Sequence, residues 1–213
     1  MIYEAINQAV LSCIPETTTH LLDIGCGSGA LAKQIKSCHP SCKIVGITHS
    51  KEEANLASSY LDQIFILDLN NFNSCEIGQF DCIVCSHILE HLSDPEIFLS
   101  KLRQNLTFDG ILIIALPNAL HWKQRLEFLK GNFKYTEGGV MDKTHLRFFD
   151  WMTAFELVQK ADFKITSRMA DGYFPLPVIR KVFPIVASSI DRFATKCSPG
   201  LFGVQFIIIA RKE

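Results

Sequence analysis

No sign of charge dominates this sequence. Its 21 Lys and Arg stand against 22 Asp and Glu, a formal net charge of −1, so it lacks the basic footprint that wholesale nucleic-acid binding requires. It also lacks an apolar run of about 18 residues, which excludes a membrane-spanning helix. The opening MIYEAINQAV carries an acid and amides where a secretory leader needs a basic and then an apolar segment, so no leader is expected. Internal repeats and low-complexity stretches are missing as well. Eight cysteines are present, several inside strand-like runs where a free thiol serves as a small hydrophobe. That usage fits a reducing compartment and a cytoplasmic location. Cys82, Cys85, His87 and His91 are closely spaced, but Cys82 and Cys85 fall on an expected strand, where an i, i+3 pair points to opposite faces. Structural zinc needs converging ligands, so no metal site is expected.

What is present is organised around LLDIGCGSGALA, Leu21 to Ala32. An apolar strand runs into Gly25, Gly27 and Gly29, and a helix opens at Ala30. A strand that ends in glycines and opens a helix marks a nucleotide-type cofactor site in an open α/β sheet. The spacing is G-x-G-x-G rather than the dinucleotide G-x-G-x-x-G. The end of the next strand also lacks the acid that would grip an NAD ribose; it reads GITHSKEE, with Thr48 in that place.

A chain of 213 residues is long enough for a full core, and one domain over 1–213 is expected. Helical spacing of Ile2, Ile6, Ala9, Val10 and Cys13 predicts an amphipathic helix over 2–13, ended by Pro15. Further strands are predicted at 42–47, 63–67, 80–85, 111–116, 163–168 and 202–210. Helices are predicted at 51–60, 94–105, 121–130, 149–160 and 178–193, with Ser50 an N-cap and Pro95 in a first turn. Near-continuous apolar strands alternating with amphipathic helices argue for a parallel sheet covered on both faces. In the last helix, Val178, Ile179, Val182, Phe183 and Val186 form an apolar stripe beside Arg180 and Lys181. It is expected to pack on the sheet, with peripheral contact to a membrane surface as the alternative.

The run from Asp23 through the three glycines resembles motif I of the class I S-adenosylmethionine (SAM) methyltransferases. The resemblance implies a Rossmann-like, seven-stranded, mostly parallel sheet with an antiparallel last strand, and SAM as cofactor. It implies that Asp23 and the Gly25–Gly29 loop serve the methionine end, that Asp68 and Leu69 meet the adenine, and that Ser86 lies at the cofactor edge. Thr48 takes the ribose position, as in the G-[IV]-T-x-S run of cyclopropane-fatty-acid-synthase-like methyltransferases. A hydroxyl offers a weaker contact there than a carboxylate.

SAM carries its own electrophile, so the protein chiefly aligns acceptor, methyl and sulfur and can remove a proton from a hydroxyl acceptor. His87, the first histidine beyond the fourth strand, is the leading base, with His145 as second candidate. The segment from Pro117 to Asp150, with its GNFKYTEGGVMDKTHLRFF core, resembles bacterial methyltransferases of polysaccharide and O-antigen biosynthesis. That implies a lid over about 117–150 and a sugar or glycan-precursor acceptor. Asp142, Lys143, Thr144 and Arg147 are its expected binding groups, Arg147 able to hold an anion bidentately, unless Asp142 and Arg147 pair with each other. Other readings are a methionine-biosynthesis-type protein, through LPNALHWKQRL; a quinone-precursor methyltransferase, through LEHL; and a SAM-binding partner protein without turnover. Acceptor and oligomeric state are not legible.

Overall fold

Residues 6–73 and 77–213 are described by a computed structural model. Seven strands form one sheet in the order β3-β2-β1-β4-β5-β7-β6. They are β1 (His20–Ile24), β2 (Lys43–Thr48), β3 (Gln63–Ile66), β4 (Phe80–Ser86), β5 (Leu106–Pro117), β6 (Phe163–Gly172) and β7 (Gly203–Lys212). The first five run parallel, and β7 lies antiparallel between β5 and β6. The Rossmann-like sheet with an antiparallel last strand is therefore present.

The apolar strands bury both faces because helices cover both. On one face Leu22, Ile24, Ile83, Leu112 and Phe206 meet Phe98, Leu99 and Leu102 of α4 (Pro95–Leu102), and Phe155 and Val158 of α6 (Thr153–Lys160). On the other, Leu21, Ile44, Val84 and Ile113 meet Ala32 and Ile35 of α2 (Ala30–Cys38) and Val10 of α1 (Gln8–Leu11). Cys82 and Cys85 lie in opposite clusters, as strand alternation requires. The first helix was expected over 2–13; residues 1–5 lie outside the described ones, and α1 starts behind Asn7, whose side chain accepts from the Val10 amide. Helix α3 (Lys51–Ala57) is capped by Ser50, which accepts from Glu53.

Four expectations are corrected. Strand β5 begins at Leu106, so Phe108-Asp109-Gly110 sits inside a strand whose register with β4 shifts between Phe80 and Cys82. Helix α6 starts at Thr153 rather than Phe149, because Phe149 is engaged in a bridge to Asn118. The helix expected over 178–193 is two, α7 (Pro177–Val182) and α8 (Pro184–Cys197). Pro184 bars a helical conformation at Phe183, which takes φ −130° and ψ 69°. Finally, the stripe does not pack on the sheet: Val178 is 72% exposed, Val182 60% and Phe183 59%. Arg180 instead turns inward to hold Asp191 through two bonds of 2.6 and 2.9 Å.

Phe206 is fully buried on β7, with its ring 5.3 Å from that of Trp151 in an edge-on arrangement. Phe206→Ala should cost about 3–5 kcal/mol by removing packed surface and leaving a cavity. Urea unfolding at constant m-value measures it, with Phe108→Ala, at a ring 85% exposed, within about 0.5 kcal/mol of wild type.

Candidate active site

In an open α/β sheet, ligands bind beyond the carboxyl ends of the strands, where the strand order reverses. Here that point is β1 beside β4. Ile24 pairs with Cys85, so the loop after β1 and residues Ser86 and His87 emerge at one level. Gly25, Gly27 and Gly29 all have positive φ, at 77°, 51° and 80°, which side chains adopt only with strain. The amides of Gly25 and Cys26 anchor the loop on the Ile47 carbonyl at 2.8 and 3.0 Å. A Cβ on Gly25 would lie 2.1 Å from Ile88 Cδ1, and one on Gly29 3.0 Å from Ala57 Cα. These two glycines are thus needed for close packing of the loop as much as for ligand approach.

Asp23, near the end of β1, is buried, and burial pushes its carboxyl up to about 7. A buried acid without cationic company is a site that an ammonium group would complete. This fits the methionine end of SAM. Thr48 is also buried, and its hydroxyl donates to Glu53 Oε2 at 2.5 Å while accepting from the Ser50 amide. A carboxylate thus stands beside Thr48, one turn into α3 rather than at the end of β2. Asp68 caps the 3-10 turn Leu69–Asn71, accepting from the Asn70 amide at 3.0 Å and the Asn71 side chain at 2.9 Å. Leu69 packs partly buried against the core beside it.

His87 takes φ 55°, a left-handed conformation that costs a non-glycine residue about 1–3 kcal/mol. Its Nε2 lies 2.8 Å from Gln205 Oε1, and its Nδ1 3.4 Å from Glu90 Oε1. Partial desolvation pulls the imidazole down, but the Glu90 carboxylate and the Gln205 oxygen outweigh it and leave His87 above the ordinary histidine range. His145 Nε2 approaches the same Glu90 oxygen at 4.0 Å. The two candidate bases thus converge on one carboxylate. Gln205 also meets Asn7, whose amide reaches Ser86 Oγ at 3.3 Å.

The expected acceptor groups are occupied locally. Asp142 is buried and accepts from the Thr144 amide and hydroxyl at 2.8 and 2.7 Å, which hold its carboxyl below the usual range. Lys143 pairs with Glu137. Arg147 does not meet Asp142; its guanidinium is spent on the Ser93 carbonyl at 2.5 and 3.2 Å. Glu53, Gln205 and Asn7 were not among the expected site residues, and Glu90, in the LEHL turn after the fourth strand, was expected rather to pack and cap. Gln205 carried a signal, a polar residue interrupting GVQFIIIA. A cleft of about 490 Å³ is lined among others by His121, Lys123, Asn132, Thr136, Val140 and Tyr173; His87, His145 and the glycine loop are not among its lining residues.

A mostly parallel sheet with a left-handed glycine loop and a buried acid before it suits the class of SAM-dependent methyltransferases, to which the chain belongs and whose cofactor is S-adenosylmethionine. Within that class the chain belongs to the methyltransferase-domain family whose profile matches residues 3–168. It is similar to (S)-tetrahydroprotoberberine N-methyltransferase of Eschscholzia californica, 31% identical over 102 residues, 44% of this chain and 28% of that protein. It is also similar to ubiquinone biosynthesis O-methyltransferase of Rhodopseudomonas palustris, 29% identical over 121 residues, 55% of this chain and 46% of that one. The chain matches less than half the length of either relative. A SAM-dependent methyltransferase of Archaeoglobus fulgidus shares the fold, with TM-score 0.64 and 18% identity over 92% of this chain and 87% of that one. So does coclaurine N-methyltransferase bound to N-methylheliamine and SAH, with TM-score 0.63 and 16% identity over 96% and 72%.

Asp23 sets a pH dependence whose sign can be worked out. Unfolded, it ionises near 3.8; folded and ligand-free, near 7. Between those values the folded chain holds the extra proton, so stability falls as pH rises through the window and is level above it. The ammonium of S-adenosylhomocysteine favours the carboxylate, so binding at pH 6 should release a proton and tighten towards pH 8. Calorimetry in buffers of different ionisation enthalpy measures the release, and Asp23→Asn should abolish it.

Proposed function

We propose that the chain transfers a methyl group from SAM to a hydroxyl of a sugar or glycan precursor. The observation that carries this reading is the convergence of His87 and His145 on Glu90, each held by a residue that lines, or adjoins one that lines, a polar and aromatic cleft. Val140 lines the cleft and its carbonyl accepts from His145 Nδ1 at 3.0 Å. Val204 lines it too, and the next residue, Gln205, holds His87. Tyr173 and His121, with ring centres 5.4 Å apart, offer apolar faces to a sugar ring, while Lys123, Asn132 and Thr136 offer hydrogen-bonding groups.

SAM supplies a methyl group on a positively charged sulfur, ready for in-line displacement. The protein aligns the acceptor oxygen, and His87 or His145 takes the hydroxyl proton as the new C–O bond forms. Asp142 and Thr144 shape the lid segment, and Lys143 and Arg147 stand at its exposed side. A phenolic, quinone-precursor acceptor is the second reading, favoured by the match to the ubiquinone biosynthesis enzyme.

Incubating the protein with labelled SAM and a metabolite pool, then identifying the labelled product, separates the acceptors. Replacing the true base by Ala should lower kcat by about a hundredfold or more with SAM affinity intact. Wild-type turnover in both His87→Ala and His145→Ala would remove the base assignment.

The exposed side chains of α7 and α8, with Ile185 83% and Phe193 70% exposed, would suit an acceptor held at a lipid surface. Lys181, Arg192 and Lys196 supply the adjoining positive charge. Vesicles containing anionic lipid should float the protein, and Ile185→Asp should release it. Protein left wholly in solution argues for a soluble acceptor.

A further inference from the structure

Glu90 is fully buried; among the described residues neither carboxylate oxygen has a hydrogen-bond partner of good geometry, and the imidazoles nearest to Oε1 are His87 Nδ1 at 3.4 Å and His145 Nε2 at 4.0 Å. Its surroundings are otherwise carefully satisfied. The Glu90 carbonyl accepts from the amides of Leu146 and Arg147 at 2.8 and 3.0 Å, fastening the lid to the turn Leu89–His91. A buried carboxylate left open costs free energy unless something cationic completes it. His91 and His145 stand beside it, their rings 4.7 Å apart and edge to face. One candidate ligand atom from each of Glu90, His91 and His145 lies within 4.8 Å of the others.

The hydrogen bonds orient both imidazoles for coordination. His145 Nδ1 lies 3.0 Å from the Val140 carbonyl, which can only accept, so that nitrogen carries the proton. His91 Nδ1 lies 3.2 Å from the Thr144 carbonyl and 3.1 Å from the Thr144 hydroxyl, whose own hydrogen goes to Asp142. Each ring is thereby left with a lone pair on Nε2. Metal-binding histidines are held in this way, the second nitrogen donating to a carbonyl or carboxylate-backed group.

We propose that Glu90, His91 and His145 form a divalent transition-metal site of the two-imidazole, one-carboxylate type. Such a donor set suits zinc and related ions and leaves coordination positions open. Tetrahedral bonds of about 2.0–2.2 Å bring ligand atoms to about 3.3 Å from one another, a closure that small side-chain rotations supply. The site revises the expectation that no metal is bound: the ligands come from the turn after β4 and from the lid, not from the Cys82–Cys85 pair. It gives Asp142 and Thr144 positioning roles, holding His91 in its ligating tautomer. The proposal goes beyond the methyl-transfer reading and rests on it only for the ion's use at the acceptor edge; with His145 a ligand, His87 alone is left as the base.

The test uses the full chain without a histidine tag, stripped with chelator and titrated with zinc chloride, then with cobalt chloride. One equivalent of zinc should bind, and the cobalt form should absorb in the visible without a thiolate charge-transfer band. His91→Ala and His145→Ala should weaken binding by more than about a hundredfold, and Thr144→Val by about tenfold. Glu90→Gln should weaken zinc binding as well. No saturable binding, a thiolate band, or unchanged affinity in all these variants would overturn the site. S-adenosylhomocysteine binding, measured on the same samples, keeps the two readings apart. Its loss with zinc retained counts against the cofactor site alone, and its retention without zinc binding counts against the metal site alone.

Discussion

The parallel pairing of β1 with β4, Leu21 to Cys82 through Ile24 to Cys85, is the constraint on which the rest depends. Both strands are buried on both faces, so a slip of one residue would turn every side chain to the wrong layer. That register ends the two strands together. The glycine loop and the Ser86–His87 turn then emerge side by side at one edge of the sheet. Register with β2 adds the anchor at Ile47 and brings Thr48 and Glu53 to the same edge. The antiparallel β7 delivers Gln205 to His87 from the other side.

Two buried carboxyls, Asp23 and Glu90, mark this edge. An interior selected for stability alone would replace both, since burying an acid without a partner opposes folding. Violations of local rules gather where a structure must bind something. Asp23 stands where a ligand ammonium would complete it, and Glu90 where two histidines converge. The left-handed His87 between the glycine loop and Glu90 is a third such feature. The other described non-glycine residue in that conformation, Asp162, lies in the turn between α6 and β6.

Legibility in the sequence followed the range of the interactions involved. The glycine loop, the strands and the cap at Ser50 rest on contacts between near neighbours, and these were readable from spacing alone. The break at Pro184 was also readable in principle, because a proline restricts the residue before it, but the apolar stripe through Phe183 hid it. Asp142 and Arg147 looked like an acceptor cradle or an ion pair, and they do not pair with each other. Their partners, Thr144 and Ser93, are backbone or hydroxyl groups that charge patterning does not announce.

By itself the sequence determined the fold class, the strand–loop–helix that would hold the cofactor, and the candidacy of His87 and His145, because periodicity and glycine spacing encode local geometry directly. Only the tertiary structure decided what those residues face. Glu53 reaches Thr48 because α3 folds back on β2, and Glu90 meets His145 because the lid amides dock on its carbonyl. The apolar faces of α7 and α8 stay in solvent because the kink at Pro184 and the inward turn of Arg180 direct them there. Contacts between residues far apart in sequence depend on strand order and packing, and no local pattern carries that information.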